Sequence, residues 1–337
     1  MSDRVSFFCF SVIFLVAFKP AALYAELVAL EEFNYSNVGG DLTGQGGGGS
    51  FGFVDLWTGQ TSYNIGNGSL AAKNVPLPKV GNSVSGVAFP ENRGIDRNLT
   101  SPWGTDNTTM YLSVLMQPIG ILHQGAYGGW FGVALRGSTD VVIGMNYSKN
   151  NYGLRVADVY QDSPVPAVVG VPTFLVLRVD FTEGVDPVSL YVNPFPGAPE
   201  PATPSASIID LGISNLSQLS LTGPGGSAFD SIRIGTTYAD VAPANSDFNS
   251  DGYVGGADLA NWEPNYGTSE VATNSQGDAD VDLDVDGRDF LIWQRQFGFG
   301  TTAASSLKSV PEPTAICISV FALLSSLNLR NIVQRLH

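Results

Sequence analysis

The chain has 337 residues, with 31 acidic against 16 basic side chains and a formal net charge of −15. That balance excludes the basic footprint that nucleic-acid binding requires. Only 14% of residues are charged, whereas Gly (39) and Pro (20) are frequent, a turn-rich make-up that suits an all-β exported domain better than a helical enzyme.

Residues 1–25 read as a secretory signal peptide. Arg4 precedes an almost wholly apolar run from Val5 to Phe18, and "AALYAE" then offers small Ala25 as the last residue before a cut. The run is too short for a confident spanning helix. The two cysteines, Cys9 and Cys317, both lie in apolar end segments. Between the ends, then, no disulfide is expected, and stability must come from a core, a metal, or both.

From Glu26 to Pro243 the chain carries strand signals and almost no helical periodicity. In "TFLVLRVDF", Leu175, Leu177, Val179 and Phe181 share one face and Val176, Arg178 and Asp180 the other, which predicts a strand with one buried and one wet face. "TEGVDP" and "VSLYVN" complete a hairpin. "MYLSVLMQ", with Leu112, Val114 and Met116 on one face, adds a strand, as do "GWFGVALRG", "DVVIGMN", "YGLRVADVY" and "FDSIRIGTT". Short strands at this spacing predict an antiparallel β-sandwich. The order of "EEFNY", "GQGGGGSFG", "GSL", the "LRVDF…VSLYVNP" hairpin and "FDSIRIGTTYADV" resembles concanavalin-like, laminin-G-like sandwiches of planctomycete-type envelope proteins.

Gly46–Gly49 is not a phosphate loop, because "SFGF" follows where Lys-Ser/Thr and a helix are needed, so a surface loop is expected. Sandwiches of this shape include glycoside hydrolases, which need two carboxylates about 5–10 Å apart. No Glu-x-Asp-x-Glu strand occurs here. Asp180, Glu183 and Asp186 suit a solvated hairpin tip, and His123 has no nucleophile motif around it. Trp103, Tyr127, Trp130, Tyr147 and Tyr152 lie in or beside turn-rich segments. Core packing is their expected role and sugar stacking the alternative.

Residues 244–300 form a second unit. Asn245 to Gly300 contains nine Asp and two Glu against Arg288 and Arg295, a net −9. "DFNSDGYVGGADLANWEPNYG" (Asp247–Gly267) aligns with "DADVDLDVDGRDFLIWQRQFG" (Asp278–Gly298) at an offset of 31 residues. Each copy opens with a 12-residue loop. Oxygen donors stand at places one, three, five and twelve: Asp247, Asn249, Asp251 and Asp258 in the first, Asp278, Asp280, Asp282 and Asp289 in the second. Place seven, where the backbone carbonyl is the donor, is held by Tyr253 and Asp284. This all-oxygen set suits Ca²⁺; zinc would ask for His or Cys, and Mg²⁺ would keep its waters.

Two such loops, each running into a short helix, resemble the dockerin module. The helices are expected over Gly256–Trp262, stopping near Pro264, and over "RDFLIWQRQF", with Phe290, Trp293 and Phe297 as a buried stripe. Leu283 replaces glycine at place six of the second loop, where a Gly-like backbone is wanted, so the second site should be the weaker. Dockerins that bind cohesins usually carry Ser-Thr-like pairs at places ten and eleven. Gly256-Ala257 and Gly287-Arg288 stand there instead, which argues against a cohesin partner and for a calcium staple.

Thr301–Ser309 reads as a linker. Residues 310–337 then place Pro311-Glu312-Pro313 before an apolar run of about 15 residues, short of the ~20 a span needs, followed by Arg330 and Arg335. That order resembles the PEP-CTERM sorting signal of Gram-negative envelope proteins, and the resemblance implies recognition by an exosortase-type membrane protease; a permanent anchor is the alternative. Together these segments predict a non-catalytic, envelope-sorted surface or matrix protein with a polysaccharide as its expected ligand. A carbohydrate-active enzyme and a cohesin-binding adaptor are the rivals.

Overall fold

The computed structural model describes residues 26–59, 63–72, 77, 81–86, 94–120, 129–146, 150–251 and 253–298. The signal peptide, the linker, the tail with its sorting motif, His123, Tyr127, Tyr147 and both cysteines lie outside them. In chain order the strands are β1 (Leu27–Glu31), β2 (Thr58–Gly59), β3 (Asn64–Ile65), β4 (Val84–Gly86), β5 (Gly94–Trp103), β6 (Thr108–Pro118), β7 (Phe131–Arg136), β8 (Val141–Met145), β9 (Asn151–Val156) and β10 (Val159–Pro166). β11 (Thr173–Phe181), β12 (Val185–Val192), β13 (Ala206–Leu211), β14 (Leu216–Thr222) and β15 (Ser227–Gly235) complete the set.

All pairings are antiparallel. One sheet runs β13-β12-β11-β6-β15-β4-β3, with β1 also on β15; the other runs β10-β9-β8-β7-β14-β5-β2. Alternation puts Leu112, Val114, Met116, Leu175, Leu177 and Val179 of the first sheet into one apolar core with Phe131, Val133, Leu135, Leu219 and Leu221 of the second. This is the antiparallel, concanavalin-like sandwich expected from the period-two pattern.

Two local expectations are corrected. The outer face of β11 is not wholly wet. Phe174 and Val176 are buried in a second cluster with Tyr111, Leu115, Tyr191, Tyr238 and Val241, because the short helix α1 (Tyr238–Val241) lies over that face. Covering those side chains stabilises by about 1.5–3 kcal/mol each. "YGLRVADVY" is two strands rather than one. Ala157 takes φ +49° in the tight connection between β9 and β10, so Tyr160 folds back beside Arg155.

A buried polar knot pins the sandwich. Arg97, on β5, forms an ion pair with Glu31, on β1, with 5% and 0% of their side chains exposed. Glu31 also accepts hydrogen bonds from Phe33 N (2.8 Å), the Tyr35 hydroxyl (2.7 Å) and Trp57 Nε1 (3.2 Å). Arg97 reaches the Asp55 carbonyl (2.8 Å) and Ser50 Oγ (3.0 Å), and so ties down the end of the glycine-rich loop.

The last strand runs through α1 directly into the acidic unit. Its helices are α2 (Gly256–Trp262) and α3 (Gly287–Gln296). The unit's two ends are clasped together. Gln296 Oε1 accepts from Ser246 N (3.0 Å) and Oγ (2.6 Å), while its Nε2 donates to the Ala244 carbonyl (2.6 Å).

Candidate metal centre

Each acidic loop is wound by its own side chains. In the first, Asp247 Oδ1 and Asn249 Oδ1 accept from Asp251 N (3.0 and 2.9 Å), and Asp251 Oδ1 accepts from Tyr253 N (2.9 Å). In the second, Asp278 Oδ2 accepts from Leu283 N (3.1 Å) and Asp282 Oδ1 from Asp284 N (3.2 Å). The aspartate at place twelve closes each ring. Asp258 accepts from Asn249 N (3.1 Å) and Gly255 N (2.7 Å), and Asp289 from Ala279 N (2.7 Å) and Asp286 N (2.7 Å). Both are fully buried and sit in the first turn of α2 and α3, where a carboxylate also suits the helix dipole.

The backbone carries the turn chemistry the spacing asks for. Ser250 and Val281, at place four of the two loops, take φ +56° and +60°. Leu283, at place six, takes φ +75°. Glycine tolerates that region, whereas a Cβ there costs about 1–2 kcal/mol. Gly252, its counterpart, lies outside the described residues.

The second loop gives a physical test of whether a cation fits. Oxygens of Asp278, Asp280 and Asp282 come within 4.8 Å of one another, as do those of Asp284, Asp286 and Asp289. Oδ1 of Asp278, of Asp280 and of Asp284 is buried without a hydrogen-bond donor among the described residues. Burial first, and then neighbouring carboxylates, push Asp278 and Asp280 up to about 6. Arg288 lies 3.4 Å from Asp280 and 3.7 Å from Asp282 and offsets part of this charge. Converging, donorless carboxylate oxygens are what a hard divalent cation satisfies, so these residues fit Ca²⁺. Asp286, at place nine, groups with Asp284 and Asp289 and caps α3 through Arg288 N (2.6 Å). Sequence reading passed over it, although place nine of such a loop is a recognised donor position.

The two copies interlock reciprocally. Trp262 Nε1, from α2, donates to the carbonyl of Asp286 in the second loop (3.2 Å), and Trp293 Nε1, from α3, to that of Gly255 in the first (2.9 Å). Gly267 N reaches the Val285 carbonyl (2.8 Å) and Gly298 N the Val254 carbonyl (2.9 Å). α2 spans the expected Gly256–Trp262, and the chain continues as one 3₁₀ turn, Glu263–Asn265, through Pro264. The expected buried stripe is corrected. Phe290 and Trp293 are half-buried and Phe297 is 55% exposed, since a two-helix unit has too few layers to cover them. With Trp262 they form a chain of ring contacts at centroid separations of 5.2–5.5 Å, tilted between Trp262 and Phe290, stacked between Phe290 and Trp293 and edge-on between Trp293 and Phe297.

A cleft of about 580 Å³ separates the second loop from the sandwich, bordered by Tyr111, Glu200, Tyr238, Asp280, Asp282 and Arg288. Burial works to raise Glu200, but hydrogen bonds from Tyr191 (2.6 Å), Tyr111 (2.8 Å) and Arg178 (3.1 Å) outweigh it and hold the carboxyl below its usual range. An acid so held does not donate a proton at neutral pH. Asp186, expected at a solvated tip, is instead buried and accepts from Thr182 N (2.8 Å) and Ile213 N (2.6 Å). Of the aromatics singled out, Tyr152 is in the core, Trp103 packs partly against it, and Trp130 is half-buried on the outer side.

No family model matches the chain, and no curated protein matches it. Among solved structures it is similar to an endo-1,3-β-glucanase from Streptomyces sioyaensis, at 7% identity over 64% of this chain and 98% of that one, with a TM-score of 0.38. The T. cruzi calreticulin globular domain gives 10% identity over 70% and 95%, with a TM-score of 0.37. The carbohydrate-binding module CBM66 from Bacillus subtilis gives 11% over 51% and 93%, with a TM-score of 0.29. At scores this low, what those proteins bind or cleave does not carry over; the sandwich is established by this chain's own two sheets.

Proposed function

We propose that this chain is an exported, envelope-sorted surface or matrix protein that binds a polysaccharide without cleaving it and is stapled by Ca²⁺ at its C-terminal unit. The observation that carries the calcium assignment is the set of buried, donorless carboxylate oxygens in the second loop. One ion would be held by Asp247, Asn249, Asp251 and Asp258, with the Tyr253 carbonyl, and a second by Asp278, Asp280, Asp282, Asp284 and Asp289. When bound it supplies folding energy rather than reaction chemistry. The non-catalytic reading is supported by the engagement of Glu31, Asp186 and Glu200 with hydrogen-bond donors. Export and sorting rest on the two terminal segments of the sequence, with an exosortase-type protease as processing partner. A cohesin is not proposed, because Gly256-Ala257 and Gly287-Arg288 replace the contact pairs.

The test is calcium titration of the purified protein, followed by calorimetry and circular dichroism. Calcium should add helix and raise the melting temperature, and Asp247→Ala with Asp258→Ala should remove most of that gain. Identical melting in calcium and in chelator would end the staple reading. Turnover of a polysaccharide that disappears on one Asp or Glu substitution would end the non-catalytic one.

A further inference from the structure

One face of the β10-β9-β8-β7-β14-β5-β2 sheet points away from the core. Across it the ladder aligns Tyr160, Arg155, Val142, Ala134, Ser220, Asp96 and Thr58 in a single row. At the β10 end the row becomes a small pit of about 110 Å³, bordered by Trp130, Val142, Gly144, Asn146, Arg155 and Tyr160. The Arg155 guanidinium lies 5.9 Å from the centroids of both the Trp130 and Tyr160 rings. Tyr160 is 48% exposed.

Arg155 stands apart from the other described arginines of the sandwich. Arg97, Arg136, Arg178 and Arg233 each have a carboxylate partner. Among the described residues no carboxylate comes within ion-pair reach of Arg155, in a chain with nearly twice as many acids as bases. Asp162, two residues beyond Tyr160, is engaged by Asn146 Nδ2 (2.9 Å). A half-buried guanidinium held by ring faces keeps its forked N–H donors for an outside anion.

Resting on the glycan-binding reading above, we propose that Trp130, Arg155 and Tyr160 form a subsite for the carboxylate-bearing sugar of an acidic polysaccharide. The carboxylate is flat and pairs with the guanidinium edge in two parallel hydrogen bonds. A flat carboxylate places both oxygens in the guanidinium plane between the flanking rings, whereas a sulfate group that pairs through two oxygens still carries a third out of that plane, toward an electron-rich ring face. The C–H face of the same sugar ring meets the electron-rich face of the exposed aromatic. The pit admits one such group, so selectivity is for a sugar unit and not for chain length.

The test is calorimetric titration of the purified protein, with calcium present, using trigalacturonate, too short to gel. Three other arms are a neutral glucose trimer, a sulfated glucose trimer and triglutamate. Trigalacturonate should bind most tightly, and more weakly as salt rises. Arg155→Gln should weaken it about tenfold or more, and Tyr160→Ala, on an edge strand, severalfold. Unchanged binding in both variants overturns the proposal, as does equal affinity for the sulfated trimer or the peptide. Neutral-sugar binding indifferent to Arg155 overturns this subsite and leaves the glycan reading standing. Binding of no saccharide in any arm removes both.

Discussion

Replacing Glu31 with Gln should be among the most damaging single changes in the sandwich. The substitution keeps the shape and removes the charge facing Arg97, whose side chain is 5% exposed. It also turns one of two acceptor oxygens into an N–H donor, amid donors from Phe33, Tyr35, Trp57 and Arg97. Breaking a buried pair by removing one partner costs about 3–5 kcal/mol, because the surviving charge is stranded. In a domain of this size each kcal/mol lowers the melting temperature by about 2–4 °C, so the expected fall is about 6–20 °C. The assay is thermal melting by circular dichroism at the β-sheet band, for wild type, Glu31→Gln, Arg97→Met and the double variant. Removing both charges should cost less than the two single changes added together, by about 2 kcal/mol or more. A fall under about 2 °C for Glu31→Gln, or strict additivity, would refute the reasoning.

Calcium affinity should depend on pH through the second loop. Burial raises Asp278 and Asp280 to about 6 in the metal-free fold. Stability from those protons is fully present below the unfolded carboxyl pKa, about 4, and is lost as pH rises through about 6. Bound calcium reverses the trend by requiring the ionised forms, so affinity should fall about tenfold or more from pH 7 to pH 5 by calorimetry; equal affinities would contradict it. Leu283→Gly should tighten the second site about fivefold or more by relieving the positive φ, and an unchanged two-site isotherm would count against that. Trp293→Phe should weaken the first site roughly two- to tenfold, though Trp293 is no part of it, because its indole N–H holds the Gly255 carbonyl. An effect confined to the second site would disprove that coupling.

Strands, loops and helix limits were legible because they are local. Alternation alone placed Leu175, Leu177 and Val179 in the core, and ligand spacing alone marked both loops and α2. What escaped depends on distance along the chain. Glu31 and Arg97 are 66 residues apart, and no period joins them. Tyr160 and Arg155 become neighbours only because the chain turns at Ala157, where the sequence reads as one continuous strand. Whether an aromatic on a short helix is covered depends on how many layers the unit has. Phe297 continues the helical period in the sequence, yet it lies one residue past the end of α3 and stays exposed.

The clasp between Gln296 and the Ala244–Ser246 segment has a mechanical consequence. The chain enters and leaves the acidic unit at nearly the same place. Tension applied beyond Gly298 therefore loads the Gly298 bond to the Val254 carbonyl of the first loop together with the three hydrogen bonds that bridge entry and exit, and passes through the latter to β15. Bonds arranged this way share a load instead of opening one after another. A pull on the C-terminal side would strain the first loop and the sandwich together and leave the second loop slack behind the clasp, so the unit acts as a closed link.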